Sequence, residues 1–185
     1  MREKYFKSDC KGFSYIDVMI SMMIFMVGIL AMTGALMSNR MRAQIIEKQL
    51  AAKQIALSSI ESILAAKELN PSEEVSGWDQ IGNVGSNNIA GQNRGIFETG
   101  FRPVRQGAGE DGVVGTSDDA CTGTGACGSN NSPIQVGYER RILIEDIPSS
   151  DYSTIRQRNV SVTIRYQVNG RSLDETIKTI VTDYR

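Results

Sequence analysis

Histidine is absent from all 185 residues. That removes Ser-His-Asp and Cys-His catalysis, the HExxH zinc site and any imidazole general base. Three cysteines, with no histidine beside them, fall short of a four-ligand structural zinc site unless carboxylates complete it. No charge is in excess: 20 Lys and Arg against 21 Asp and Glu give a net charge of −1. Such a chain has no basic surplus to neutralise a phosphate backbone, so no nucleic-acid partner is expected. Proline occurs four times and never between positions 13 and 70. What is present is ordinary in amount, 41% hydrophobic and 22% charged, but uneven along the chain. The length suits one domain plus an appendage.

The unevenness begins with residues 13–37, FSYIDVMISMMIFMVGILAMTGALM, whose single charge is Asp17. A helix of this length spans roughly 37 Å, enough to cross a hydrocarbon core of about 30 Å. Ahead of it Arg2, Lys4, Lys7 and Lys11 outnumber Glu3 and Asp9. The positive-inside rule keeps that end in the cytoplasm and sends the remainder across. Three readings fit such a start. A cleaved secretory signal calls for a shorter apolar stretch closed by an A-x-A-like site, whereas this run leads straight into Asn39-Arg40-Met41-Arg42. A plain signal anchor accounts for length and orientation but not for a carboxylate near the start. The third reading is cleavage ahead of the run, between Gly12 and Phe13.

From Ser38 to Leu69 the pattern becomes amphipathic. Ile46, Leu50, Leu57, Ile60 and Leu64 recur at three- and four-residue spacing, with Ile45, Ala52, Ile55 and Ile63 widening the stripe, which predicts a helix laid on a globular head. Asn70-Pro71 ends it, since the residue before proline is pushed out of the α region. Gly28 and Gly34 lie inside the apolar part, where small residues help helices approach each other in lipid.

Beyond residue 71 the chain reads as a β-rich head. Val160 to Val168 alternates apolar and polar residues; Asn169-Gly170 follows, then Thr176 to Thr182. Asn-Gly between alternating runs predicts a hairpin with a type I′ turn. Tyr138 to Ile147 supplies a third strand. The expected sheet is antiparallel, one face on the amphipathic helix and the other toward water. Residues 76–133 are rich in Gly, Asn and Ser and form an insert that needs local ties.

Lys11-Gly12-Phe13-Ser14-Tyr15-Ile16-Asp17-Val18 resembles the class III signal of type IV prepilins and type II secretion pseudopilins. A basic leader, a Gly-Phe junction, an early acid and a long apolar run occur together in that family. The resemblance implies cleavage between Gly12 and Phe13 by a prepilin peptidase, N-methylation of Phe13, and a charge-pairing role in assembly for Asp17, which stands where the family usually has Glu. It also implies an α+β, type IV pilin-like fold. Its parts are a cleaved leader 1–12, a membrane and filament-core helix 13–37, an amphipathic helix 38–70 and a head 71–185. The group brought closest is the minor pilins of the PilV group. A subunit of that kind sits in the inner membrane as a single-pass protein, head in the periplasm, and enters an extracellular filament with other pilins. A minor pseudopilin of a type II secretion system and a membrane-anchored binding domain that never polymerises are the alternatives. No constellation for catalysis is left over.

With the leader removed, Cys10 goes too. Cys121 and Cys127 in CTGTGAC then make an even pair in an oxidising compartment, as a structural disulfide requires. Gly107 to Gly112 formally matches GxGxxG, but no strand precedes it and Glu110 and Asp111 repel a pyrophosphate. The same segment sets Asp111 against Asp118 and Asp119 across glycines. That spacing resembles the calcium loop of major pseudopilins, which makes Ca2+ the candidate cofactor there. A solvated acidic turn is the competing reading.

Overall fold

The structure is a computed structural model that describes residues 12, 14–68, 76–85, 88–89, 92–119, 132–147 and 157–183. It divides into two compact units, Met1–Gln44 and Ile45–Arg185. One helix, α1 (Tyr15–Glu68, 54 residues), runs through both. With no proline to break its hydrogen-bond ladder, it is roughly 80 Å long at 1.5 Å per residue.

The first unit holds the apolar part of α1. Every residue from Tyr15 to Gln44 is exposed within the chain. Its richest 18-residue window has a mean hydropathy of 2.2, and the helix is long and apolar enough to cross a membrane. Thr33, a polar intrusion, turns its hydroxyl back on its own helix and donates to the carbonyls of Ile29 and Leu30, both at 2.9 Å. That is how a hydroxyl is satisfied where no water is available.

The second unit packs the rest of α1 on a sheet. The remaining elements are α2 (Gly77–Gln80), a two-residue ladder of β1 (Asn88–Ile89) and β2 (Gln92–Asn93), and a four-stranded antiparallel sheet. That sheet is ordered β3 (Arg102–Arg105), β4 (Ile134–Ile147), β5 (Gln157–Val168), β6 (Arg171–Thr182). Asn169 (φ 51) and Gly170 (φ 75) both take positive φ in the β5–β6 turn, as a type I′ hairpin demands. The register pairs Val160 with Ile144 on one side and Thr179 on the other. It puts Val160, Val162, Ile164, Tyr166 and Val168 on the face under α1, joined by Ile142, Ile144 and Val181. The opposite face carries Glu139, Arg141, Asn159, Thr163, Arg165, Asp174 and Lys178, the polar side expected of a sheet covered once.

Two expectations need correction. The first concerns which face of α1 meets the sheet. The buried residues of the helix are Ala52, Ala56, Ser59, Ile60, Ile63 and Ala66. Ile46 (63% exposed), Leu50 (57%), Leu57 (50%) and Leu64 (43%) stay outside the core. The physical reason is phase: Ala52, Ser59 and Ala66 repeat every seven residues with Ala56, Ile60 and Ile63 beside them, which leaves the Leu50, Leu57 and Leu64 row roughly a third of a turn away.

The second concerns the insert 76–133. It is not tied only by local loops, because it contributes Trp78, Ile81, Phe97 and Val113 to the core. It also supplies β3. Ser76 caps α2 through a reciprocal box with Asp79, a small fixed entry that delivers Trp78 inward. Asn83 then does a strand's work. Its amide Nδ2 donates to Ile142 O at 2.9 Å, and its Oδ1 accepts from Ile144 N at 2.8 Å. β3 begins at Arg102, opposite Arg140, and runs back toward Ile134, so Asn83 satisfies the part of the β4 edge beyond Arg140 that β3 does not reach.

Candidate functional site

The start of α1 is where the sequence placed processing and assembly. Gly12 is exposed; Phe13 lies outside the described residues. Asp17 sits in the first turn. Its Oδ2 accepts from the backbone N–H of Ser14 at 3.3 Å, while Ser14 O accepts from the N–H groups of Asp17 (3.0 Å) and Val18 (3.3 Å). The carboxylate is therefore turned back toward the residues preceding the helix and toward the positive end of its dipole. Ser21 Oγ donates to Asp17 O at 2.7 Å, so that hydroxyl too is absorbed by the helix. Asp17 thus engages the backbone amide of Ser14.

The acidic segment 107–119 folds as a tight loop whose carboxylates bind the chain itself. Asp118 Oδ2 accepts from Glu110 N (2.7 Å) and Asp111 N (3.2 Å), and its Oδ1 accepts from the Thr116 hydroxyl (2.5 Å). Asp111 Oδ1 accepts from Val113 N at 2.7 Å. Asp119 Oδ2 accepts from Gly115 N at 2.7 Å and from the Arg140 guanidinium at 2.6 Å. Gly109 (φ 66) has no room for a side chain, since a Cβ there would strike the Asp118 carboxyl. The loop is pinned to α1 by Val114 N donating to Ser62 Oγ at 2.9 Å.

These ties set the protonation preferences. Burial works against the Asp118 carboxylate, but the Thr116 hydroxyl and the N–H groups of Asp111 and Glu110 outweigh it and hold its pKa below the usual range. Burial raises Asp111, against the Val113 N–H and with help from the Asp118 charge. Burial likewise raises Asp119, against its bonds to Gly115 and Arg140. Asp119 Oδ1 is buried without a hydrogen-bond partner. Asp111, Asp118 and Asp119 are thus brought into one loop, but no group of three or more acidic or cysteine side chains among the described residues is placed to hold a metal ion. Cys121 and Cys127 lie outside the described residues, as does Cys10.

Beside the loop is a cavity of about 220 Å3 lined by Arg102, Arg105, Thr116, Ser117, Asp119 and Arg140, among others. The Arg140–Asp119 pair lies on its wall, and Arg140 also reaches Ser59 of α1 at 3.4 Å.

The sequence reading missed Arg140, Arg158 and Asn83. Arg158 is 1% exposed; its guanidinium donates to Asp146 Oδ1 at 2.9 Å, to Ile81 O at 2.6 Å and to Trp78 O, and lies over the Trp78 ring at 4.3 Å. A signal existed. Arg140 is in phase with Ile142 and Ile144, and Arg158 with Val160 and Val162, so alternation alone turns both guanidiniums inward. Asn83 had no such signal, because a side chain that replaces a strand leaves no periodicity.

No family model, no curated protein and no solved structure matches the chain.

Proposed function

We propose that this protein is a structural subunit, a minor pilin, of a type IV pilus-like filament, stored in the inner membrane and then moved into the filament. The observation that carries the proposal is the apolar part of α1. It is exposed on every side within the chain and starts at a carboxylate that accepts from the Ser14 N–H. Such a helix needs lipid or other helices around it. In this reading the head stays in the periplasm until assembly, and the partners are other pilins and the prepilin peptidase.

Intact-mass analysis of the membrane-extracted protein tests it. The expected mass lacks residues 1–12 and carries one added methyl on Phe13, and Gly12 replaced by a bulky residue leaves the leader in place. A mature chain that begins at Met1 supports the non-polymerising anchor instead.

A second reading is a minor pseudopilin of a type II secretion system, since the Lys11 to Val18 junction and the apolar run resemble that class equally. Deleting the gene discriminates: loss of surface filaments supports the pilin, and loss of exoprotein secretion with filaments intact supports the pseudopilin.

A further inference from the structure

The cavity beside the acidic loop is unbalanced in charge. Arg102, Arg105 and Arg140 line it together with Glu98 and Asp119. Arg140 is engaged by Asp119 at 2.6 Å and Arg102 by Glu98 at 3.2 Å. Arg105 pairs with no carboxylate among the described residues. Its Nη1 donates to Ser132 O at 2.8 Å, which leaves most of a guanidinium's five N–H donors over. Three cations against two carboxylates leave one positive charge on the wall. The shape is fixed by the fold. Glu98 N donates to Gly115 O at 3.0 Å, which ties one wall to the loop. Gly115 (φ 101) lies so close to β4 that a Cβ there would strike Ile142 Cδ1. The register of β3 on β4 shifts between Pro103 and Arg105. Strict alternation would turn Arg102 to the other face from Pro103 and Arg105, yet all three line the cavity, the re-aiming that a bulge produces.

We propose that this cavity binds a small hydroxylated monocarboxylate, a sugar acid of the hexuronate kind. One surplus charge matches one carboxylate, and the free edge of the Arg105 guanidinium suits its two oxygens. The wall carboxylates decide the rest. Glu98 and Asp119 repel a dianion such as phosphate, and Glu98, only partly buried, is an acceptor that ring hydroxyls can meet. Ser117, exposed at the same wall, adds a hydroxyl that donates or accepts. The volume of about 220 Å3 lies below the roughly 300–1,000 Å3 of sites for drug-sized ligands, so the ligand is a single ring. Among the described residues the lining has no aromatic side chain, so an aromatic acid finds nothing to stack on. The proposal concerns the head alone and stands apart from the membrane reading above.

The test is titration of the full chain in detergent with glucuronate, read from the amide NMR signals of Thr116 and Ser117. Saturable shifts are expected at millimolar ligand. Glucose, which lacks the carboxylate, and acetate, which lacks the ring, are each expected to bind about tenfold more weakly or worse, the size of one lost charge-assisted contact. Arg105→Gln is expected to weaken glucuronate about tenfold as well, while Arg171→Gln, in the β5–β6 turn region and away from the cavity, leaves it unchanged. If Arg105→Gln loses the dispersed signals of the sheet, Arg105→Lys takes its place. It keeps the charge without the fork and is expected to weaken binding several-fold. No saturable shift at Thr116 and Ser117 overturns the proposal. So does glucose binding as well as glucuronate, or affinity untouched by both Arg105 variants. Phosphate binding as tightly as glucuronate also overturns it and makes the cavity a general anion site.

Discussion

Two stretches of the same helix live by different rules. Between Tyr15 and Gln44 α1 is apolar on every side and buries nothing in its own chain. Between Ala52 and Ala66 it buries six residues, four of them Ala or Ser and two Ile. The comparison shows that apolar content does not identify what a helix face touches. The first stretch meets its solvent outside the molecule. The second divides its apolar residues between a small-residue face on the sheet and a leucine stripe that the sheet leaves alone.

The sharpest way to separate the stretches is to unfold one without the other. Arg158 is the largest fully buried side chain in the head. Arg158→Ala removes the charged donor from the carbonyls of Trp78 and Ile81 and the ion-pair partner of Asp146, a loss of about 3–5 kcal/mol for a buried charge network. In detergent, the near-UV signal of Trp78 is expected to vanish at much lower urea, while the far-UV helix signal of the apolar stretch persists. Loss of both signals together would show that the two units share one cooperative transition.

Next in size is the edge that Asn83 completes. Asn83→Ala leaves Ile142 O and Ile144 N without their partner on that side, costing about 1–3 kcal/mol. Hydrogen exchange is expected to quicken at Ile144 first. Uniform quickening across β5 and β6 would mean that Asn83 acts only through global stability.

The two faces of the second stretch can be set against each other directly. Ala56→Leu forces bulk between helix and sheet and is expected to cost about 1–3 kcal/mol. Leu57→Ala, one residue on, is expected to change stability by less than about 0.5 kcal/mol. The reverse order would restore the stripe to the core.

The same pair of faces shows how far the sequence could be read. Helix continuity from the missing prolines, the Asn169-Gly170 hairpin and the three long strands all rest on local signals, and the fold bears them out. Ala52, Ile60 and Ile63 were placed correctly. The leucines were not, because periodicity weights large apolar residues and passes over Ala56, Ser59 and Ala66, which share the packed face. Trp78, Ile81 and Phe97 escaped because a glycine-rich stretch hides single anchors whose partners are distant in sequence. At the candidate site, the meeting of Asp111, Asp118 and Asp119 was legible from the glycines between them. The loop's distant ties were not, since Arg140, which donates to Asp119, and Ser62, which accepts from Val114 N–H, come from elements far along the chain.

The smallest expected effect belongs to the loop. Asp118 has a folded pKa below its unfolded value, so the stability it contributes is in place above the unfolded pKa of about 3.9 and is lost as pH falls through the folded one. Asp111 and Asp119 are raised by burial. The native state holds their protons more tightly, so these two favour it in acid and cost stability as pH rises through their folded values. Opposed signs predict a shallow acid limb for the whole protein but a clear local event. Protection of the Glu110 and Asp111 amides, which donate to Asp118, is expected to fall only as pH drops below the usual carboxylate range, while the amides of Val162 and Ile164 stay protected. Asp118→Asn is expected to lower that protection already at neutral pH, because the amide group offers one acceptor oxygen where the carboxylate offers two. Protection lost while carboxylates of ordinary pKa are still ionised, or lost in step with the sheet, contradicts the role given to Asp118. Millimolar calcium sharpens the result. With the carboxylates engaged by Glu110, Asp111, Thr116 and Arg140, calcium is expected to leave protection unchanged; a rise with calcium but not magnesium would assign the loop to the metal.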